Sequence, residues 1–262
     1  MDISIVIVNY KSKDLTLNCI KSIKESDWPG LDYEIIVIDN YSADLASGDL
    51  KPFGDIKFVM NGQNMGYGAA NNQGIARAQG KYIVIMNPDT AASKDVFIKL
   101  FDFMENNPKV GVVGPKQFNL DKTVQQTFFR WPKLLTPLYR RTPLGKIGQA
   151  KKDLDRFLYR DYNKDSLLRA DWLLGSFLFC RAAALRQAGA FDERFFLYFE
   201  DIDLCRRFWR AGFEVVYYPA AAITHNHIRQ SAKTPWYQFY KNKASWHHLA
   251  SWVKYLWKWK GR

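Results

Sequence analysis

Polar residues gather in four short clusters along the N-terminal third of the chain: Asn9-Tyr10, Asp39-Asn40, Asn61 to Asn64, and Asn87-Pro88-Asp89. Each follows an apolar run. Amides and carboxylates grouped this way can hold a polar ligand, and a carboxylate such as Asp89 can take a hard divalent cation through oxygen. Further along, Phe199-Glu200-Asp201-Ile202-Asp203 places three carboxylates within five residues, and His225 follows an apolar stretch that opens at Glu214. If a helix starts near Glu200, then Asp201, Leu204, Cys205 and Phe208 share its apolar face. Asp201 then points inward, where a carboxylate can serve as a general base. Asp203 instead faces Arg206 and Arg207 and reads as an ordinary helix ion-pair partner. Plainer readings stand beside these: Asp39 as a helix cap, Asp201 as a buried N-terminal cap, His225 as a satisfied structural histidine. One polar cluster is what turn preference alone would give, whereas four on one predicted edge argue for a site.

The elements that must position these residues alternate. Ile3 to Val8, Tyr33 to Ile38, Ile56 to Met60, Tyr82 to Met86 and Val110 to Val113 read as strands. Helical patterns follow Ser12, run from Gly66 to Gln79, and run from Asp95 to Asn106. Buried β-branched runs separated by helices predict a doubly wound, mostly parallel sheet, which binds ligands beyond the carboxyl ends of its strands. From Phe118 to Arg169 no period is visible, and residues 118–170 are expected to form an irregular excursion carrying acceptor specificity. An apolar segment from Asp171 to Cys180 and a helix from Arg181 to Ala188 follow.

The chain has 262 residues and a net charge of +12. Eight basic residues and no acidic one follow Glu214, so most of the excess sits in the tail. Its three cysteines, Cys19, Cys180 and Cys205, lie far apart and read as reduced thiols. The N-terminal apolar run is too short for a signal peptide, and no stretch approaches the roughly 20 apolar residues that span a bilayer. Asn64-Met65-Gly66-Tyr67-Gly68 opens a helix whose N-terminus favours phosphate. Asn71 stands where a dinucleotide fingerprint needs its third glycine, which weakens a dehydrogenase reading. A sugar-1-phosphate nucleotidyltransferase is disfavoured because the N-terminus lacks a G-x-G-T-R loop.

Five blocks in order, the four clusters with their neighbours and Trp172 through Gly175 to Asp203, resemble the family 2 glycosyltransferases of GT-A fold. Within them the likeness is to bacterial rhamnosyltransferases of surface-polysaccharide synthesis. It runs from Ile3 to about Ser231, with the middle excursion left out. The resemblance implies that Val8, Tyr10 and Asp39 meet a uracil or thymine base, and that Asn64, Gly66, Gly68 and Asn87 complete a nucleotide-sugar site. It implies Asp89 and His225 as ligands of Mg2+ or Mn2+, with His227 matching less well. Asn87 replaces the first carboxylate of the family's D-x-D motif, which leaves metal dependence open. Trp172, Gly175 and Glu200 are placed on the acceptor side, and Asp201 is the inverting general base.

Residues 235 to 259 read as one helix with five tryptophans, with Lys243, His247, Lys254 and Lys258 along one stripe. Tryptophans beside lysines suit a bilayer interface, and the alternative is a helix packed on the catalytic domain. The expected organisation is a catalytic domain over 1–231 and a membrane-associating helix over 232–262. The protein would sit in the cytoplasm, peripheral to an anionic inner membrane face. The expected reaction moves a sugar, L-rhamnose from dTDP-L-rhamnose, onto a hydroxyl of a polyprenyl-diphosphate-linked glycan. The alternatives are a UDP-hexose donor, or a membrane-bound sugar-nucleotide-binding module without turnover. Nucleic acid is not an expected partner, since no recognised module accompanies the basic tail.

Overall fold

The computed structural model describes residues 1–226 and 241–261. In chain order its elements are β1 (Ile3–Asn9), α1 (Lys13–Lys24), β2 (Tyr33–Asp39), α2 (Ser47–Leu50), β3 (Lys57–Met60), α3 (Tyr67–Ile75), β4 (Tyr82–Met86) and β5 (Thr90–Ala92). There follow α4 (Val96–Asn106), β6 (Val110–Phe118), β7 (Phe128–Phe129), α5 (Thr136–Arg141), α6 (Gly148–Phe157), β8 (Leu168–Arg169) and β9 (Trp172–Leu173). Last come β10 (Phe177–Arg181), α7 (Ala182–Ala188), α8 (Glu200–Arg210), β11 (Glu214–His225) and α9 (Lys243–Trp259).

The expected strands form a mixed sheet in the order β3-β2-β1-β4-β10-β6-β11-β5, with β8 pairing β11. Strands β3, β2, β1 and β4 run parallel, as their β-branched runs predicted. Alternate residues of β1 and β2 feed two cores: Val6, Val8, Ile36 and Ile38 on one face, Ile3, Ile5, Ile35 and Val37 on the other. The departure is β10, which inserts antiparallel between β4 and β6. A fully buried strand reads as an apolar run in either direction, so its orientation cannot be read from its residues. The insertion starts β10 at the edge where β4 ends, with Phe177 opposite Met86. Gly175 and Ser176 are thereby delivered beside Asn87.

The stretch expected to be irregular is partly ordered. It holds α5, α6 and a two-stranded sheet of β7 with β9. Trp172 is 3% exposed, stacks on Phe129 at 4.3 Å and donates its indole N–H to the Arg130 carbonyl. It is core and forms no open acceptor wall.

The tail differs more. Residues 235 to 240 of the expected helix, His227 and the expected boundary at 231 lie outside the described residues; α9 is described from Lys243. Three of the four residues of the lysine–histidine stripe, expected at a membrane surface, turn toward the domain. His247 stacks on Phe196, Lys254 donates to the Arg194 carbonyl, and Lys258 lies 2.7 Å from Asp192 and 2.6 Å from Asp203. Tyr255 and Trp259 are buried, while Trp246, Leu249, Val253 and Trp257 face outward. Helical spacing identifies a stripe, but partners on other elements decide which stripe is inside. Among the described residues no helix is long and apolar enough to cross a membrane.

Candidate active site

The parallel register aligns Asn9 with Asp39 at the carboxyl edge of the sheet. Asn9 Nδ2 donates to Asp39 Oδ1 at 2.7 Å and lies 2.9 Å from Asp44 Oδ1. The Ser42 hydroxyl also donates to Asp39 Oδ1, and the Ser42 N–H to Oδ2 at 3.2 Å. Asp39 is fully buried. A base reaches it only if the Ser42 loop turns aside. Val8 lies beneath this edge, and Tyr10 is about half exposed above it, open to a flat ligand.

Asn64 has a structural job: its oxygen accepts from Asn40 Nδ2 and from the Gly66 N–H, each at 2.9 Å. Gly66 has φ +85°, and a Cβ there would lie 2.5 Å from the Phe196 carbonyl oxygen, so the turn into α3 needs glycine. Gly68 packs against Phe191 one turn on. The glycine block thus seats α3 on the loop that leads into α8.

Tyr67, quoted in that block only as a spacer, joins the two halves. Its hydroxyl donates to the Gly175 carbonyl at 2.7 Å and lies 2.9 Å from Asn87 Oδ1. Burial pushes its pKa well up, and the nearby charges of Glu200, Asp201 and Asp89 add to this. The side chain of Asn87 is therefore turned onto Tyr67.

Asp89 and His225 meet across the β5–β11 pairing, where His225 lies opposite Thr90. Asp89 Oδ1 is 3.3 Å from His225 Nε2, and that oxygen is buried without a hydrogen bond. His225 Nδ1 is 2.9 Å from Gln125 Oε1. With the amide oxygen accepting, Nδ1 carries the hydrogen and Nε2 turns its lone pair to Asp89. Two ligands at about 2.1 Å from one hard cation stand about 3 Å apart, so this pair fits such an ion. Gln125 would then fix the ligand's tautomer from behind. Gln125 was not foreseen, because it lies in the stretch without period. Among the described residues no cluster of three or more ligating side chains exists.

The remaining centre is the start of α8. Tyr198 and Phe199 both have φ +69°, a left-handed pair costing roughly 1–2 kcal/mol each. That kink aims Glu200 and Asp201 inward; they are 6% and 9% exposed. Asp201 Oδ2 accepts from the Gly175 N–H at 3.0 Å, and Oδ1 from the Ile202 N–H at 2.8 Å. A Cβ on residue 175 would lie 3.2 Å from Asp201 Cβ, so Gly175 fits here as the residue that lets the carboxylate approach. Burial raises Asp201 to about 6 against the pull of these donors and of Arg140. Burial, with the neighbouring charge of Asp201, raises Glu200 well above the ordinary carboxylate range.

Asp203 corrects the expected helix phase in part. It does pair with Arg207, at 2.9 Å, but it is fully buried and also meets Lys258 and the Trp259 indole. It is the anchor of α9 and no surface group.

A divided strand-end site, a carboxylate poised near neutrality and an Asp–His pair under a mixed sheet are the frame of a GT-A glycosyltransferase. The solved structure of GalNAc-T7 with UDP, GalNAc and Mn2+ has this fold, matching 100% of this chain over 48% of its own length, at TM-score 0.70 and 15% identity. The model of glycosyl transferase family 2 matches residues 4–160, and the chain belongs to that family. It is similar to the N-acetylglucosaminyl-diphospho-decaprenol L-rhamnosyltransferase of Mycobacterium tuberculosis, 28% identical over 77% of this chain and 69% of that one. It is also similar to the rhamnosyltransferase WbbL of Escherichia coli, 26% identical over 96% and 91% of the two chains.

Proposed function

We propose that this glycosyltransferase moves L-rhamnose from dTDP-L-rhamnose onto a hydroxyl of a polyprenyl-diphosphate-linked glycan, with inversion. The observation that carries the reading is Asp201, a buried carboxylate near neutrality held by the Gly175 N–H at 3.0 Å. The names of both relatives support the sugar, and that of the Mycobacterium relative alone supports the lipid-linked acceptor.

In this reading the nucleotide lies along the sheet edge from Tyr10 and Asp39 to Asn64, Gly66, Gly68 and Asn87. Asp201 takes the acceptor hydroxyl proton. The acceptor oxygen bonds to the anomeric carbon from the face opposite the leaving group, the bond from that carbon to the diphosphate oxygen breaks, and its electron pair leaves with the nucleotide. Glu200, whose carboxyl burial holds above the ordinary range, lies beside Asp201 on the acceptor side. Asp89 and His225 would hold Mg2+ or Mn2+, which offsets charge on the departing diphosphate. Residues 1–231 form the catalytic unit and 232–262 contribute to an anionic membrane contact, on the cytoplasmic side where nucleotide sugars are available.

The test is transfer with purified protein, a divalent cation and a synthetic polyprenyl-diphosphate acceptor. Rhamnosylated product from dTDP-L-rhamnose is expected, with little from UDP-hexoses. Product from a UDP-hexose alone would replace the donor. Stabilisation by adenine or guanine nucleotides but not by thymidine or uridine diphosphates would sink the nucleotide assignment.

A further inference from the structure

Exposed aliphatic side chains are concentrated in one short segment outside the site. Leu134, Leu135, Leu138, Leu144 and Ile147 are each 42–64% exposed, Leu134 and Ile147 most of all. Among the described residues these are five of the eight exposed leucines and isoleucines. They cover α5 and the single-turn helix Pro143–Lys146 that follows it. Leucines set out in water in such density mark a contact surface. The charge around them is predominantly basic: residues 122–155 hold eight lysines and arginines against two acidic residues, Asp153 and Asp155, which pair with Lys133 and Lys151.

The segment borders the catalytic carboxylate. Arg140 lies close enough to favour the charge of Asp201. Arg206 links the segment to α9, its guanidinium 5.7 Å from the Trp131 ring and 4.4 Å from the Trp259 ring.

We propose that Leu134 to Ile147 form a membrane-docking surface: the aliphatic side chains enter the interfacial layer of an anionic phospholipid bilayer, and the flanking lysines and arginines meet its headgroups. Charge selects this occupant. Two copies of the chain meeting through this face would bring like charges together, whereas an anionic bilayer complements them. The inference deepens the lipid-linked acceptor reading, because the segment carries Arg140, whose charge acts on Asp201, to the surface from which such an acceptor comes. It also extends the contact to a segment outside the tail.

The experiment uses the full chain and vesicles of equimolar phosphatidylcholine and phosphatidylglycerol, in a sedimentation assay. The triple variant Leu134→Glu/Leu138→Glu/Ile147→Glu is expected to bind at least about tenfold more weakly, since burying even one leucine is worth that much. A second variant, Lys146→Gln/Lys152→Gln, is expected to lose affinity for these vesicles but not for phosphatidylcholine alone. Binding of the triple variant at wild-type strength would overturn the proposal. So would a triple variant that changes oligomeric state while vesicle binding stays the same, which would make a second copy the occupant. Thermal stabilisation by thymidine diphosphate, followed in the same variants, should be unchanged. Its absence even in the wild type would sink the donor reading and leave the vesicle result to decide this one.

Discussion

Asp201 and Asp203 leave the same turn of α8 and enter opposite surroundings. Asp201 meets two backbone N–H groups, with the carboxyl group of Glu200 as its neighbour, and burial raises it to about 6. Asp203 is more deeply buried, yet Arg207, Lys258 and the Trp259 indole surround it at 2.6–2.9 Å. Burial alone therefore does not mark a reactive carboxylate. The distinguishing feature is incomplete compensation: a group left short of cations keeps a use for a proton, whereas a saturated one is cross-linking. The seam at Asp203 ties α9 to α8.

The comparison breaks most readily at Asp201. Asp201→Asn is expected to lower transfer by at least roughly 10²-fold while nucleotide affinity is kept. The folded protein should not lose stability at neutral pH, because the amide removes a buried charge. Calorimetry and a transfer assay on one preparation check both halves. A less stable but fully active variant would make Asp201 a cap.

Asp203→Asn should behave in the reverse manner. It leaves Arg207 and Lys258 facing an amide, and breaking a buried pair costs about 3–5 kcal/mol. Urea unfolding should show that loss, while transfer per folded molecule stays near wild type. Inactivity without loss of stability would exchange the roles of the two residues.

A smaller effect is expected behind the Asp–His pair. Gln125→Leu removes the acceptor for His225 Nδ1, which lies 2.9 Å away. Cation affinity, read from the dependence of nucleotide-induced stabilisation on Mn2+, should fall roughly 10–100-fold. Unchanged titration would place the ion elsewhere, and full activity in excess chelator would remove it from the reaction.

What could be read beforehand follows the same division. β1, β2 and β4 were legible because continuous β-branched runs have few other fates, and the polar residues ending them fell on one edge by simple alternation. Asp201 was legible because it lies in phase with Leu204, Cys205 and Phe208. The surroundings of Asp203 were not, since Lys258 and Trp259 reach it from a helix whose inward stripe looks, by spacing alone, like a solvated one. Gln125 was hidden for a related reason: nothing local distinguishes it from Gln126, and only the hairpin after β6 brings it beneath His225. The leucines from Leu134 to Leu144 showed no period to read, because their exposure is set by where the segment ends up.

The smallest expected effect is the response to mild acid, and it sharpens the comparison most. Only the carboxylate form of Asp201 can accept the hydroxyl proton, so transfer should rise with pH and level off above about 6. At pH 6 it should stand near half its plateau, and about one unit lower near a tenth. Stability should run the other way. The folded value of Asp201 lies above its ordinary 3.8, so its contribution is complete below that value and is lost as pH rises through about 6. Across this window the wild type should lose stability relative to Asp201→Asn, and above it the difference should be constant. Asp203→Asn should retain the acid limb of activity at the same pH, since Asp203 takes no proton in the reaction. A limb that moves in Asp203→Asn, or a profile flat from pH 7 to about 5, would show that the titrating group is not the carboxylate held by Gly175.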